Sequence, residues 1–272
     1  MRRPKLLVPL ALFLAAIVLA GCGASPLEIL QAAGEKTIAA GSSRMLLRLE
    51  VLSERAARPV QMTGEGAFDF ASRRGTLDLS VPATAGAPPA RTAMIFDKDV
   101  VYQKVPRSLA SQLSSGKPWL KIDLAALNRA GAGGVASGQS NDPTQALAFL
   151  NGITGDVREV GKEKLRDADT THYSATVDLE KATEGAANSK QMVDNLINQI
   201  GSKNLPIDAW IDGDGRLRKE RYQMTLGPGV GALATGTGKA TTTIELYDFG
   251  TAVSITPPPA SQVTDATKLL IG

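Results

Sequence analysis

The sequence holds one cysteine, one histidine, no Gly-x-Ser-x-Gly and few aromatic residues, and each shortage removes a class of chemistry. A single thiol, Cys22, excludes an intrachain disulfide, so packing has to stabilise the fold. With His172 as the only imidazole there is no cluster to hold zinc and no Cys-His pair, and no cofactor is expected. The missing Gly-x-Ser-x-Gly removes the nucleophile elbow of a hydrolase. Aromatic residues make up 4% of the chain and are not interleaved with basic patches, so stacking platforms for nucleic acid are not expected.

Long apolar runs are also scarce, with one exception at the N-terminus. Arg2, Arg3 and Lys5 precede "LLVPLALFLAAIVLA" from Leu6 to Ala20, and small residues follow, which is the layout of an export signal. The run falls short of the roughly 20 residues that span a bilayer, so cleavage is expected rather than permanent insertion. Leu19-Ala20-Gly21-Cys22 resembles the lipobox of bacterial lipoproteins, which implies a diacylglyceryl group on the Cys22 sulfur and cleavage just before it. The alternative is an ordinary secretory signal that ends near a cysteine. Residues 1–21 are thus expected to be a lipoprotein signal peptide, and 22–272 one domain. Its expected location is the extracytoplasmic face of the cell membrane, held by the lipid anchor.

Loss of that signal removes three of the 30 Lys and Arg and none of the 27 Asp and Glu, leaving a mature chain close to neutral. The basic isoelectric point belongs largely to the signal and is no argument for nucleic acid.

What is present is β-rich. Ser25, Pro26 and Glu28 open a helix over about 26–40, with Leu27, Leu30, Ala33 and Ile38 at helical spacing and Gly41 as its stop. The period then drops to two. Met45, Leu47, Leu49 and Val51 share one face, and the pattern recurs through Met62, Phe68 and Phe70, through Leu77, Leu79 and Val81, and through "RTAMIFDKDVVYQKV". Turn-forming stretches between these runs argue an antiparallel meander. "GKPWLKIDL" adds a strand, "NRAGAGGVASGQSND" reads as flexible, and "DPTQALAFLNGI" reads as a helix capped by Asp142 that buries Ala146, Leu147 and Leu150. Strands resume, a third helix is expected over "NSKQMVDNLINQIG", and the chain returns to strands before the extended prolines at 257–259. About ten strands and three helices give an α+β fold: one strongly curled antiparallel sheet with helices in its concave face.

Two further motifs fail on spacing. "GALATGTGKAT" has Leu233 and Ala240 where a phosphate loop needs Gly and Ser or Thr. "DAWIDGDGRLRKER" has Trp210 and Arg221 where a calcium loop needs acids, so Asp-Gly here marks a hairpin turn. A serine-histidine-acid triad around His172 remains compatible with composition, but its alternation with Tyr173, Ala175 and Val177 reads as an exposed strand histidine.

Three segments carry a family resemblance in their order and spacing: "PWLKIDL", "VREVGKEKLRDADTTHYSATVDLEKA" and "LPIDAWIDGDGRLRKERYQMTL". The chain resembles the LppX/LprAFG lipoproteins of actinobacteria, within the LolA-like carriers. That resemblance implies an antiparallel half-barrel around helices and an apolar cavity for the acyl chains of a lipid or glycolipid. The inward residues expected to line it are Leu47, Leu49, Phe68, Phe70, Leu77, Leu79, Ile95, Ile244 and Leu246. Such a protein is not an enzyme. A packed envelope adaptor or sensor that binds a protein partner is the second reading, and a secreted hydrolase resting on His172 is the third.

Overall fold

The computed structural model describes residues 24–54, 58–83, 89–107, 110–111, 114–130, 143–182, 194, 197, 201–226 and 237–271. Helix α1 (Pro26–Ala39) begins with a complete capping box. The Glu28 amide donates to Ser25 Oγ at 3.3 Å, and Glu28 Oε2 accepts from the Ser25 amide at 2.7 Å, so two otherwise orphaned donors are satisfied. Its buried stripe is Leu30, Ala33, Gly34 and Thr37. A Cβ on Gly34 would stand 3.2 Å from the Leu147 carbonyl oxygen, and the bare glycine lets a second helix approach closely.

Twelve strands follow: β1 (Ser42–Ser53), β2 (Val60–Asp69), β3 (Arg74–Val81), β4 (Ala90–Asp97), β5 (Val100–Lys104), β6 (Trp119–Asp123), β7 (Ile153–Leu165), β8 (Ala168–Asp178), β9 (Asn204–Asp212), β10 (Leu217–Leu226), β11 (Gly238–Tyr247) and β12 (Val263–Asp265). They make one open sheet in the order β12-β6-β5-β4-β3-β2-β1-β11-β10-β9-β8-β7. The topology is two meanders sharing a seam. β1 to β6 step away from β1, helices α2 (Leu124–Arg129) and α3 (Pro143–Asn151) carry the chain to the far edge, and β7 to β11 step back until β11 pairs with β1. Asp123 caps α2 by accepting the Ala126 amide at 2.8 Å.

The architecture is α+β with a large, mostly antiparallel sheet, in line with the sequence pattern. The described residues form twelve strands where about ten were expected, and one pair among them is parallel. β12 lies parallel to β6 because the extended proline segment brings the C-terminal chain back past the β6 edge, where Lys117 Nζ donates to the Val263 carbonyl at 2.9 Å. In α3, Leu147 and Leu150 are buried as expected. Cys22, Asp142 and most of the third expected helix lie outside the described residues.

The main core lies against one face of the sheet, where Phe68 contacts Phe70 and Phe96 with ring centroids 5.8 and 5.9 Å apart. Thr37 ties α1 to that sheet: its hydroxyl donates to the Ala33 carbonyl at 2.6 Å and accepts the Leu217 amide at 2.8 Å. Edge strand β7 exposes Lys162, Glu163 and Lys164, charges that discourage pairing with another chain.

Candidate functional site

The strand registers fix which side chains share the helix-covered face, called inner below. Met45, Leu47 and Leu49 of β1 lie opposite Gly66, Gly64 and Met62 of β2 and opposite Leu246, Ile244 and Thr242 of β11. Leu77 and Leu79 of β3 extend the same rows past Gly66 and Gly64, and Met94 and Thr92 of β4 continue them. The face is therefore apolar across both meanders. Its burial is uneven: Met45, Leu77, Met94 and Leu246 are fully buried, whereas Leu49, Leu79 and Tyr222 are only half-buried while still packing on the core.

Polar side chains interrupt this surface, Thr92, Thr242 and Tyr222 among them, and one is an acid. Glu220 of β10 sits between Ala209 of β9 and Ile244 of β11, is 0% exposed, and among the described residues neither carboxyl oxygen has a hydrogen-bond partner. Burial pushes its carboxyl well above the ordinary value, because an ionised carboxylate would be left without water or a cation. On the same face, Tyr222 packs edge-on against Phe149 of α3, centroids 5.4 Å apart, and its phenol hydrogen-bonds Thr242. Burial first, and then Glu220, raise the Tyr222 pKa.

The opposite, outer face is built from paired charges. His172 stacks on Trp210 with ring centroids 4.1 Å apart and planes 10° from parallel, and Lys219 Nζ lies 4.2 Å from the far side of the indole. The His172 Nε2 is 2.9 Å from Asp208 and its Nδ1 is 3.2 Å from Glu163. Asp208 also accepts from Arg221 at 2.7 Å. Partial burial raises the Asp208 pKa, but the hydrogen bonds and charges of Arg221 and His172 outweigh it and hold the carboxyl below its ordinary value.

Asp212 repeats this arrangement at the β9–β10 hairpin. Its Oδ1 accepts the amides of Asp214 and Arg216 at 3.0 and 2.9 Å, and its Oδ2 accepts Arg216 Nε and Arg218 Nε at 3.0 and 2.6 Å. Burial again raises the pKa and the turn amide and arginines overcome it, so the net shift is downward. Gly215, at φ +79, supplies the left-handed residue of the turn. The Asp-Gly stretch is a hairpin, as its spacing predicts, and its acid is spent on arginines and turn amides.

His172 corrects one expectation. Its side chain is 12% exposed rather than free in solvent, because Trp210 and Lys219 fill the outer face at β9 and β10. With a carboxylate on each ring nitrogen, neither nitrogen is positioned to take a proton from a serine.

Of the nine inward residues expected from sequence, Leu47, Leu49, Phe68, Phe70, Leu77, Leu79, Ile244 and Leu246 share the inner face, all but Leu49 and Leu79 being buried. Ile95 does not. It pairs with Thr76 and Tyr102 and is half-buried on the outer face, while its neighbours Met94 and Phe96 turn inward. Three consecutive apolar residues leave the parity of β4 undetermined in sequence, and pairing with Leu77 and Gly75 decides it.

Glu220 was not among the expected residues. Alternation from Leu217 would put residue 220 outside, but a bulge between Leu217 and Lys219 shifts the register and turns Glu220, Tyr222 and Met224 inward. The signal available was the other end of the strand, where Tyr222, Met224 and Leu226 alternate and, read backwards, place Glu220 with them.

An open groove of about 630 Å³ lies at the ends of β2, β3 and β4, lined by residues of both parities: Gln61, Thr63, Ser80, Val81, Pro82, Pro89, Ala90 and Arg91.

No family model matches the chain. A protein of Streptomyces griseus named "Uncharacterized 31.2 kDa protein in rplA-rplJ intergenic region" is 29% identical over 265 residues, 91% of this chain and 81% of that protein. A Streptomyces coelicolor protein named "putative lipoprotein" is 29% identical over 176 residues, 63% of this chain and 50% of its own length. Among solved structures, LppX of Mycobacterium tuberculosis is similar at 12% identity and a TM-score of 0.48, over 84% of this chain and 98% of LppX. LprF of Mycobacterium bovis is similar at 15% identity and a TM-score of 0.45, over 86% of this chain and 96% of LprF. LppX is a lipoprotein. Among the described residues no helix is long and apolar enough to cross a membrane.

Proposed function

We propose that the chain is an extracytoplasmic lipoprotein, anchored to the membrane through lipidated Cys22, that binds a lipid or glycolipid between the inner face of its sheet and the helices. In this reading residues 1–21 are a cleaved signal peptide, 22–272 form one domain, and the sheet curls around its helices. The observation that carries it is the inner face itself. Its aliphatic rows extend across both meanders, and Leu49, Leu79 and Tyr222 stay half-buried while packing on that core. Acyl chains laid on such a surface gain about 0.8 kcal/mol per buried methylene. The "putative lipoprotein" relative and the lipobox support the anchor.

Native mass spectrometry of the full-length chain extracted from membranes tests the ligand: co-purified lipid is expected. Recovery of empty protein alone, without binding of fluorescent fatty acid or glycolipid, overturns the reading. Palmitate labelling tests the anchor. Cys22→Ala is expected to give unlabelled precursor, and normal labelling of that variant would refute it.

A second reading, an envelope adaptor that binds a protein partner, is favoured by the groove at the ends of β2, β3 and β4. A Thr63→Arg substitution that abolished capture of an envelope protein while leaving lipid binding intact would support it.

A further inference from the structure

Strand β10 carries a carboxyl group at a position where its neighbours in the sheet are aliphatic. Glu220 is flanked by Ala209 and Ile244, and Leu47 and Gly64 continue its row across the sheet. On β10 it lies between two points held by helices, the Leu217 amide bonded to Thr37 of α1 and the Tyr222 ring packed on Phe149 of α3. Its side chain therefore points into the space those helices cover. It is fully buried, and among the described residues no group satisfies it. A leucine there would fill the same volume without the penalty of a buried, unpaired polar group.

The two other polar groups nearby on this face are engaged with each other. Tyr222, two residues along the strand, hydrogen-bonds Thr242 directly across on β11. The cations of β10 are all spent elsewhere: Arg218 on Asp212, Lys219 on Trp210 and Arg221 on Asp208. An anionic phosphate brought to Glu220 would thus meet a carboxyl and no counter-charge from β10.

We propose that Glu220 is the polar recognition point of the inner face and binds the free hydroxyl of an uncharged lipid, as in a diacylglycerol or a glycosylated glyceride. The inference rests on the lipid-binding reading above and specifies its ligand class. A buried carboxyl that keeps its proton both donates and accepts. A hydroxyl does the same, so two reciprocal hydrogen bonds can form and both orphaned oxygens gain a partner. An ester carbonyl only accepts, and a methyl ether lacks the donor, so each satisfies at most half of the site. Such a pair fixes the headgroup, while the aliphatic rows on either side take the acyl chains.

Native mass spectrometry of the full-length chain with 1,2-dioleoylglycerol and with its methyl ether tests this. The unaltered chain is expected to prefer the free alcohol by about tenfold, the worth of one to two net hydrogen bonds. Glu220→Gln, which still donates and accepts, should keep most of that preference. Glu220→Leu should still bind both lipids but without distinguishing them, and a cooperative urea transition shows that this variant is folded. Equal binding by the unaltered chain, or a preference that survives Glu220→Leu, overturns the inference and leaves lipid binding standing. Binding of neither lipid by any of the three proteins overturns the lipid reading, and this inference with it.

Discussion

The two faces of the sheet treat a carboxylate in opposite ways over only a few residues of chain. On the outer face Asp208 and Asp212 have arginine partners, and the hairpin amides complete the shell of Asp212, so both carboxyls ionise more readily than in water. On the inner face Glu220 has neither solvent nor, among the described residues, a partner, and burial pushes its carboxyl well above the ordinary value. The outer acids are finished structural devices. Glu220 is an unmet demand, and that difference separates a closed scaffold surface from the surface proposed to take the lipid.

The contrast can be broken first by deleting volume. Leu77→Ala removes a fully buried inner-face side chain and should cost about 2–5 kcal/mol in urea unfolding. Ile95→Ala, one strand away on the outer face and half-buried, should cost clearly less. Equal losses would mean that the two faces are not packed differently.

The next largest effect concerns charge. Asp212→Ala strips the hairpin amides and both arginines of their acceptor and should cost about 2 kcal/mol. Glu220→Leu should instead stabilise the chain, by about 1–3 kcal/mol.

The pH dependence of stability should divide the same way. Asp208 and Asp212 have folded pKa values below their ordinary 3.8, so their contribution is present above that value and is lost as pH falls through the folded pKa. Glu220 has a folded pKa well above 4.5. Above pH 4.5 the unfolded chain releases this proton while the folded chain retains it, so stability falls as pH rises from 4.5 toward the folded pKa. Urea midpoints at pH 3, 5 and 7.5 should show both slopes, and Glu220→Gln should remove only the second.

The smallest effect is expected at His172. His172→Gln removes a ring from the Trp210 stack but leaves Asp208 its Arg221 partner, and should cost about 1 kcal/mol. A larger loss would mean that the imidazole organises the outer face rather than filling it.

Much of this division could be read from the residues. Period-two alternation assigned eight inner-face positions, because Leu49 lies between Arg48 and Glu50, Leu77 between Thr76 and Asp78, and Leu79 between Asp78 and Ser80. It failed at Ile95, where Met94, Ile95 and Phe96 offer no polar residue to mark the outside. It also failed to find Glu220, where a bulge reverses the strand's parity. Both depend on pairing between strands, which a local pattern does not contain. The parallel β6–β12 pair was hidden for the same reason: three residues of strand behind a proline run carry no periodic signal.

Photo-crosslinking tests the division of faces most directly. The full-length chain, irradiated with a lipid that bears a diazirine along its acyl chain and then digested, should carry the label at Leu49, Leu79 and Tyr222. Labelling confined to outer-face residues such as Thr63, Arg91 or Trp210, or no labelling at all, would contradict the assignment of the inner face as the ligand surface.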